Sequence, residues 1–263
     1  MVRLITLNIW GGRIHDPVLR FIEKHKNKTD IFTLQEVFKS DRNIQTHGSY
    51  SNILKELAGL LPEFNFYFSP TAEDHDTRGP VNFPIEFGQA TFVEHGLAIK
   101  NQKEIFVYRE FNQMGPYHED GRPDFPRNFI YTEIETEGKK FLVLNLHGFW
   151  EPAPKIDNDQ RYKQSQVIID FVKKRGLPVI IAGDFNLGIK TKALKMFEKS
   201  GFRNLVKESG ALTTRSTLYN IKWRSFDKFA DYILTSKGIW VTDFKVMRAK
   251  VSDHLPLYIE FDI

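Results

Sequence analysis

The segment Leu177 to Asn186, with the sequence Leu-Pro-Val-Ile-Ile-Ala-Gly-Asp-Phe-Asn, indicates the fold more strongly than any other part of the chain. Five of its first six residues are apolar and three are β-branched, which is typical of a strand buried on both faces of a sheet. At its end, Asp184 and Asn186 stand two residues apart, so on an extended chain their side chains point the same way. This pattern fits either a polar site at a strand end or an ordinary Asx turn.

Hydrophobic patterns on both sides of this segment predict alternating strands and helices in a single domain spanning residues 1–263. Further strands are predicted at residues 2–8, 31–34, 64–68, 89–100, 103–111, 129–135, 140–147, 230–235, 240–246 and 255–261. Helices are predicted from Asp16 to about Lys26, from Ser49 onward, from Asn158 to about Lys174, and from Thr191 to about Lys199. Two long loops, residues 69–88 and 112–127, are expected to carry function, because long loops in compact domains are uncommon.

The composition excludes several classes of protein. With 41% apolar and 14% aromatic residues the chain can form a packed core, so disorder is not expected. No apolar run approaches the length of a transmembrane helix, and the first residues lack the zones of a signal peptide. With no cysteine, any metal must bind to carboxylate, amide or imidazole groups. A monomeric cytoplasmic protein is expected, with no stable membrane association and no obligate protein partner.

Positive charge is concentrated in one part of the sequence. Residues 186–250 contain 14 Lys and Arg against 5 Asp and Glu, a local charge of +9 that leaves −5 for the remainder. This asymmetry is consistent with a polyanionic partner for one side of the molecule, although most of these lysines can equally be solvated helix residues.

Polar residues recur where the predicted apolar strands end. They are Asn8, Glu36, Asn145 with His147, Asp184 with Asn186, and Asp231, together with the Ser252-Asp253-His254 segment before the last strand. Each has a structural interpretation when taken singly, as a turn cap, a surface acid or a hydrogen-bonded core histidine. Their repeated position at strand ends favours one shared polar site.

In these segments the chain resembles the endonuclease/exonuclease/phosphatase superfamily, the fold of deoxyribonuclease I and the apurinic endonucleases. Six short matches occur in the family's order along nearly the whole chain: residues 6–9, 34–37, 145–147, 183–186, 230–233 and 252–254. The resemblance implies an α/β fold, a four-layer sandwich with two central mixed β-sheets and flanking helices. It also implies divalent-metal hydrolysis of phosphate esters, and it does not specify the substrate.

The resemblance implies a magnesium site in which Mn²⁺ can substitute. Glu36 would be the principal ligand, with Asn8 and Asp253 adding oxygens or ordering metal-bound water. Oxygen ligands suit Mg²⁺, a hard cation that usually keeps several waters. Some family members have a second acid two residues after the first-strand asparagine, where this chain has Trp10. This difference favours one principal metal.

The resemblance also assigns catalytic roles. Asp184 would align or deprotonate the attacking water, and Asn186 would hold that water or a phosphate oxygen. His254 would donate to a phosphate oxygen while Asp231 fixes its tautomer, and His147 would supply a second donor. Imidazole backed by a carboxylate can become cationic as negative charge grows on the phosphate.

Candidate substrate contacts include Asn145, in the same strand as His147, and a segment in which basic and aromatic residues alternate. This segment, residues 213–228, contains Arg215, Trp223 and Arg224, and basic groups beside stacking rings suit nucleic acid. A surface loop held by core aromatics is an equal alternative. Nucleic acid is the favoured partner, with small or lipid-derived phosphate esters as alternatives. A binding module that has lost catalysis is a further alternative.

Overall fold

The computed structural model describes residues 1–220, 222 and 227–263. Its strands are β1 (Val2–Asn8), β2 (Ile31–Ser40), β3 (Gln45–Thr46), β4 (Ser49–Tyr50), β5 (Phe64–Glu73), β6 (His75–Asp76), β7 (Gly79–Pro80), β8 (Ile85–Glu94), β9 (Ala98–Tyr108), β10 (Arg127–Thr136), β11 (Lys139–His147), β12 (Val179–Asp184), β13 (Arg203–Asn204), β14 (Asp231–Thr235), β15 (Trp240–Val246) and β16 (Leu257–Asp262). Its helices are α1 (His15–His25), α2 (Ile53–Leu60), α3 (Asp159–Arg175), α4 (Lys192–Lys199) and α5 (Leu205–Glu208).

Twelve of these strands form two six-stranded sheets. The first has the order β15-β16-β1-β2-β8-β5 and the second the order β13-β14-β12-β11-β10-β9. Each is mixed, because β1 and β2 pair in parallel, as do β11 and β12, while the other neighbours are antiparallel. The carboxyl ends of a parallel pair lie at one edge of a sheet, so each sheet delivers the ends of two strands to the same side.

Successive side chains of β1 point to opposite faces of the sheet, and their contacts show how the layers pack. Leu4 belongs to the apolar cluster that includes the residues of the second sheet, whereas Ile5 and Leu7 belong to a cluster with α1 and α2. On the second sheet, Ile168 and Val172 of α3 join the shared cluster. Helices therefore cover the outer faces and the two sheets pack against each other. This confirms the predicted fold class of a sandwich with two central mixed sheets.

A buried polar layer links the two sheets beneath their strand ends. The Gln35 side-chain amide donates to Asn145 Oδ1 at 2.7 Å, and Asn145 Nδ2 donates to the Ala90 carbonyl at 2.9 Å. Beside them, Gln89 donates to Asn128 Oδ1 at 2.5 Å. Buried amides placed this way fix the register of the sheets, because any slip would leave them unpaired in a dry interior.

Most element ends follow the sequence signals. The side chain of Asn158 accepts from the Arg161 amide at the start of α3, and that of Thr191 accepts from the Leu194 amide at the start of α4. Both are N-caps of the expected type. Within α3, Ile168 and Val172 are buried, whereas Val167 is exposed.

Three local predictions are wrong. Helix α1 begins at His15, so Asp16 lies inside its first turn and does not cap it. Ser49 lies in β4, and α2 follows Asn52. The region predicted as loop 69–88 is largely strand, because β5 continues to Glu73 and β8 begins at Ile85. Proline and charged residues hid this pairing in the sequence, because they are uncommon in strands. A sheet tolerates them at its edge strands and at bulges.

Among the described residues, no helix is both long and apolar enough to cross a membrane.

Candidate active site

A bulge in β2 directs Glu36 away from the regular alternation of the strand. The pairing of β2 with β8 shifts between Gln35 and Val37, and Glu36 has a φ of 55°. A left-handed conformation at a non-glycine residue is strained and is found preferentially at functional sites. A bulge re-aims a side chain in this way, and here it brings the carboxylate to the edge where both sheets end.

Gly183 permits β12 to approach β11 closely enough to set Asp184 beside His147. Its φ is 139°, and a Cβ atom there would lie 2.2 Å from the Leu146 carbonyl oxygen. Only glycine fits this contact. The register then places Asp184 opposite His147, and Asn186, with a φ of 53°, directly follows.

Asn8 joins the two sheets through their carboxylates. Its Nδ2 donates to Glu36 Oε1 at 3.0 Å and to Asp184 Oδ2 at 3.2 Å, while its Oδ1 accepts from the Trp10 amide at 2.9 Å. The amide orientation follows from these three partners. In this arrangement Asn8 orients two acids, and its oxygen is already occupied by the backbone.

His254 and Asp231 form the predicted pair. His254 Nδ1 lies 2.7 Å from Asp231 Oδ1, which assigns the proton to Nδ1. Nε2 then faces the acids, 3.8 Å from Asp184 Oδ2 and 3.7 Å from Asp253 Oδ1. The guanidinium of Arg215 lies against the ring, where its Nη1 contacts Nε2 and lies 3.0 Å from Nδ1.

Burial sets the protonation of this pair. It raises the pKa of Asp231 to about 7, against the opposing charge of Arg215. Burial and then Arg215 lower the pKa of His254 to about 4. Burial lowers the pKa of Arg215, but Asp231 and Asp184 outweigh it and the net shift is upward. Fixed positive charge at this corner therefore resides on Arg215, and the imidazole is neutral in this arrangement.

A second buried cation, Arg127, lies on the other side of the acids. It is 5% exposed, and its Nη1 lies 3.2 Å from a nitrogen of His147, whose Nε2 is 3.8 Å from Glu36 Oε1. Burial raises the pKa of Glu36 above its usual value, although the hydrogen bond from Asn8 and the charge of Arg127 act in the opposite direction. Sequence reasoning missed Arg127, although an arginine opening an apolar strand after a proline-rich loop is an available signal.

These groups line one cavity of about 580 Å³. Its floor is formed by Glu36, Arg127, His147, Asp184, Asn186, Arg215, Asp253 and His254. Its rim is formed by Trp10, Arg13, Arg78, Arg122 and Trp150.

One wall of the cavity is a buried polar chain that sequence reasoning also missed. Lys155 Nζ pairs with Asp227 Oδ2 at 2.7 Å, and the Tyr219 hydroxyl donates to the same oxygen at 2.5 Å. The guanidinium of Arg215 lies 4.3 Å from the centre of the Tyr219 ring. This wall connects the loop before α3 to the floor beside His254.

The donors of the floor suit a divalent metal ion. Glu36, Asp184 and Asp253 present three carboxylates to one space, and Asn186 Oδ1 is buried without a hydrogen-bond partner among the described residues. Ligand atoms of Asp184, Asp231 and His254 lie within 4.8 Å of one another, although His254 Nδ1 is taken by Asp231. An oxygen-rich set with unmatched acceptors fits a hard cation.

The structure brings most of the predicted site residues together, and the outcome for the four candidate substrate contacts differs from residue to residue. Asn145 is fully buried between the sheets, and its side-chain amide is already bonded to Gln35 and Ala90, so a substrate contact through it is not supported. Arg215, predicted as a substrate contact in the segment 213–228, lies in the floor at 5% exposure. Trp223 and Arg224 lie outside the described residues.

The chain belongs to the endonuclease/exonuclease/phosphatase family, whose sequence profile matches residues 5–254. A UPF0294 protein of Yersinia pseudotuberculosis is 26% identical over 125 residues, which cover 48% of this chain and 44% of that protein. The chain thus matches less than half the length of this relative.

Solved structures share the fold at low sequence identity. The catalytic domain of human Nocturnin, determined with a bound sulfate anion, gives a TM-score of 0.70 at 18% identity and covers 99% of this chain and 94% of that one. A mannosyl-6-phosphatase of Bacteroides thetaiotaomicron gives 0.69 at 18% identity, with 100% of both chains covered. These similarities establish the fold and leave the substrate open.

Proposed function

We propose that the protein is a metal-dependent phosphoesterase that hydrolyses phosphodiester bonds, with nucleic acid as its preferred class of substrate. The observation that carries the proposal is the meeting of Glu36, at a bulge of β2 in one sheet, with Asp184, at the end of β12 in the other, between buried Arg127 and Arg215. A strained backbone and buried charged groups reduce the stability of the fold, and they are found together preferentially where they serve a function. Membership of the family supports the same reaction class.

Mg²⁺, with Mn²⁺ as a substitute, is the proposed cofactor. Glu36 and Asp253 would hold it, while Asn8 keeps Glu36 in position. When bound, the ion neutralises charge on the phosphate oxygens and so lowers the barrier to attack.

The proposed nucleophile is a water held by Asp184 and Asn186. Asp184 Oδ1 accepts from the Asn186 amide at 2.9 Å, and Asn186 Nδ2 donates to the Gly148 carbonyl at 3.2 Å. The unpaired Oδ1 of Asn186 can therefore accept a hydrogen from that water, while Asp184 accepts the proton lost on attack. Both groups are fixed by the backbone before substrate arrives, which reduces the entropy cost of aligning the water.

Cationic groups on both sides would stabilise the negative charge that develops on the phosphate. Arg215 and Arg127 are permanent charges in a largely dry site, where electrostatic stabilisation is strongest. His254, held by Asp231, would move a proton at Nε2. His147 is positioned by Arg127 against Glu36 and would contribute a hydrogen bond to the phosphate.

Nucleic acid is favoured because arginine and tryptophan occur together on the rim. The Arg122 guanidinium lies 4.0 Å from the Trp150 ring centre, and that of Arg13 lies 5.3 Å from the Trp10 ring centre. Such pairs suit a phosphate next to a base that can stack. A small phosphate ester is the second candidate, because a cavity of about 580 Å³ with a wall at Lys155 accommodates one small group.

The test uses chromogenic esters with and without metal. We expect release of nitrophenol from bis(p-nitrophenyl) phosphate in Mg²⁺ or Mn²⁺, loss of activity in chelator, and slower turnover of the mono-ester. A panel of single-stranded and double-stranded DNA, RNA, inositol phosphates and sphingomyelin then identifies the substrate class. Faster turnover of the mono-ester would favour the second candidate, and activity that survives exhaustive chelation would contradict the metal-dependent mechanism.

A further inference from the structure

Two arginines on the rim lack an acidic partner of the kind that Lys155 and Arg122 have. Lys155 pairs with Asp227, and Arg122 pairs with Asp120. Among the described residues, Arg13 and Arg78 form no ion pair with any carboxylate. Their positive charge is therefore available to an anion that enters the cavity.

Arg13 is held in place by one hydrogen bond, but not all of the donors of its guanidinium have an acceptor. Its Nη2 donates to Thr77 Oγ1 at 3.1 Å, but its Nε is buried and has no hydrogen-bond partner among the described residues. A buried donor without an acceptor is destabilising unless a ligand or water supplies one. The residue lies on the Glu36 side of the cavity, close enough for its charge to act on that carboxylate.

Arg78 is exposed at the mouth of the same cavity, and its hairpin is anchored from below. Asp76 is fully buried and accepts hydrogen bonds from Thr46 Oγ1 at 2.6 Å, His47 Nδ1 at 2.6 Å and the Arg78 amide at 2.8 Å. These bonds hold the β6–β7 turn rigidly. Thr77, which lies in this turn, connects Arg78 to Arg13.

We infer that Arg13, Thr77 and Arg78 form a second anion subsite, which binds a phosphate of the substrate other than the one that reacts. This inference deepens the proposed function and rests on it. Guanidinium groups present several donors in a fixed plane that matches phosphate oxygens, so two of them with a hydroxyl between them suit a phosphate well. The substrate class is accordingly an ester that carries at least two phosphates, such as a nucleotide with phosphates on both sides of its sugar.

Binding measurements test the subsite without relying on turnover. Calorimetry compares thymidine 3′,5′-bisphosphate with thymidine 5′-monophosphate, and glucose 1,6-bisphosphate with glucose 6-phosphate, on the wild type, Arg78→Gln and Arg13→Gln. The control is Arg20→Gln, which removes the same charge from an exposed position on α1. A subsite for any second phosphate would favour the bisphosphate in both the nucleotide pair and the sugar pair. A subsite that also requires the nucleoside would favour it in the nucleotide pair alone.

We expect the wild type and Arg20→Gln to bind the bisphosphate about tenfold or more tightly than the monophosphate, as charge-assisted hydrogen bonds allow. The preference should fall to about threefold or less in Arg78→Gln. If Arg13→Gln folds, it should reduce the preference to a similar extent. If it does not fold, the preference measured in Arg78→Gln decides the test. Equal affinities in the wild type, or a preference that survives Arg78→Gln, would overturn the inference.

Turnover separates the subsite from the proposed function. The substrates are thymidine 5′-(p-nitrophenyl phosphate) with and without a 3′-phosphate, which share the leaving group. A higher kcat/KM for the 3′-phosphorylated ester, reduced by Arg78→Gln, supports both ideas. Turnover of both esters at equal kcat/KM overturns the subsite and leaves the proposed function standing. A binding preference with no metal-dependent turnover of either ester contradicts the proposed function and leaves the subsite.

Discussion

The floor and the rim of the cavity are built by different means. Floor residues such as Glu36, at a bulge, and Asp184, at a strand end, lie on buried strands, and neighbouring polar groups fix their orientation. Rim residues such as Arg78 lie on turns and loops, and they are partly or fully exposed. The floor can therefore hold reacting groups rigidly, whereas the rim can change without disturbing the sheets. We infer that chemistry belongs to the floor and substrate choice to the rim.

The largest expected effect is on the floor, from Asp184→Asn. Loss of the proposed base should lower kcat by about 10⁴-fold, the upper end for general acid–base catalysis. The asparagine keeps the shape and one of the two hydrogen bonds that Asp184 accepts, from Asn8 or from the Asn186 amide, so the fold should be retained in circular dichroism. Asp243→Asn, a partly exposed acid of β15 that does not line the cavity, is the control and should leave kcat unchanged. A loss below tenfold would show that the water is activated elsewhere.

A smaller loss, about 10²–10³-fold in kcat, is expected for Asp231→Asn, because Arg215 still lies against the ring. The carboxylate should act only through His254, 2.7 Å away. The double variant with His254→Ala should thus be scarcely slower than His254→Ala alone. Fully multiplicative losses in this double-mutant cycle would mean that the two residues act independently.

Beneath the floor, Asn145→Ala should act on stability. The substitution leaves the Gln35 side chain without its 2.7 Å acceptor between the sheets. The free energy of unfolding should fall by about 1–3 kcal/mol, because the short buried bonds to Gln35 and Ala90 are lost and Gln35 Nε2 keeps only acceptors at 3.1 and 3.2 Å. Denaturant unfolding measures it, with Asn65→Ala on the surface of β5 as the control. A raised KM at unchanged stability would instead support the substrate contact predicted from the sequence.

The smallest expected effect concerns the rim and depends on pH. Burial alone raises the pKa of Asp76, but hydrogen bonds from Thr46, the Arg78 amide and His47 outweigh it, so the net shift is downward. A depressed pKa gives stability that is present above the unfolded pKa of about 4 and is lost as the pH falls through the folded value. Asp76→Asn should cost about 1 kcal/mol at pH 7 and progressively less below pH 4. A constant cost from pH 7 to pH 3 would contradict the ionised anchor.

The sequence predicted the ends of β1, β11, β12 and β14 well because these buried strands leave a strong apolar pattern. Polar residues that interrupt this apolar pattern marked four site residues, Asp184, Asn186, Asp231 and His254. The expected contact between His254 and Asp231 is present. The bulge at Glu36 was not predicted, because a periodic pattern carries no information on a single inserted residue.

Buried charges were the harder part of the site to predict. Arg127 and Lys155 were missed, and Arg215 was predicted as a substrate contact and not as a buried charge, since arginine and lysine are rarely buried. Their burial depends on acids that are distant in the sequence, as with Asp227 for Lys155. Asn145 was assigned to substrate because it precedes His147, yet its partner Gln35 is 110 residues away.

The most direct test of the central claim is a titration of Mn²⁺ into the wild type and Glu36→Gln, with turnover of bis(p-nitrophenyl) phosphate measured on the same samples. Glu23→Gln, an exposed acid of α1, is the control. We predict that the wild type and the control bind one ion and turn over the diester only when it is bound, whereas Glu36→Gln loses both together. Metal binding and turnover that are unchanged in Glu36→Gln would show that the floor is not the catalytic centre.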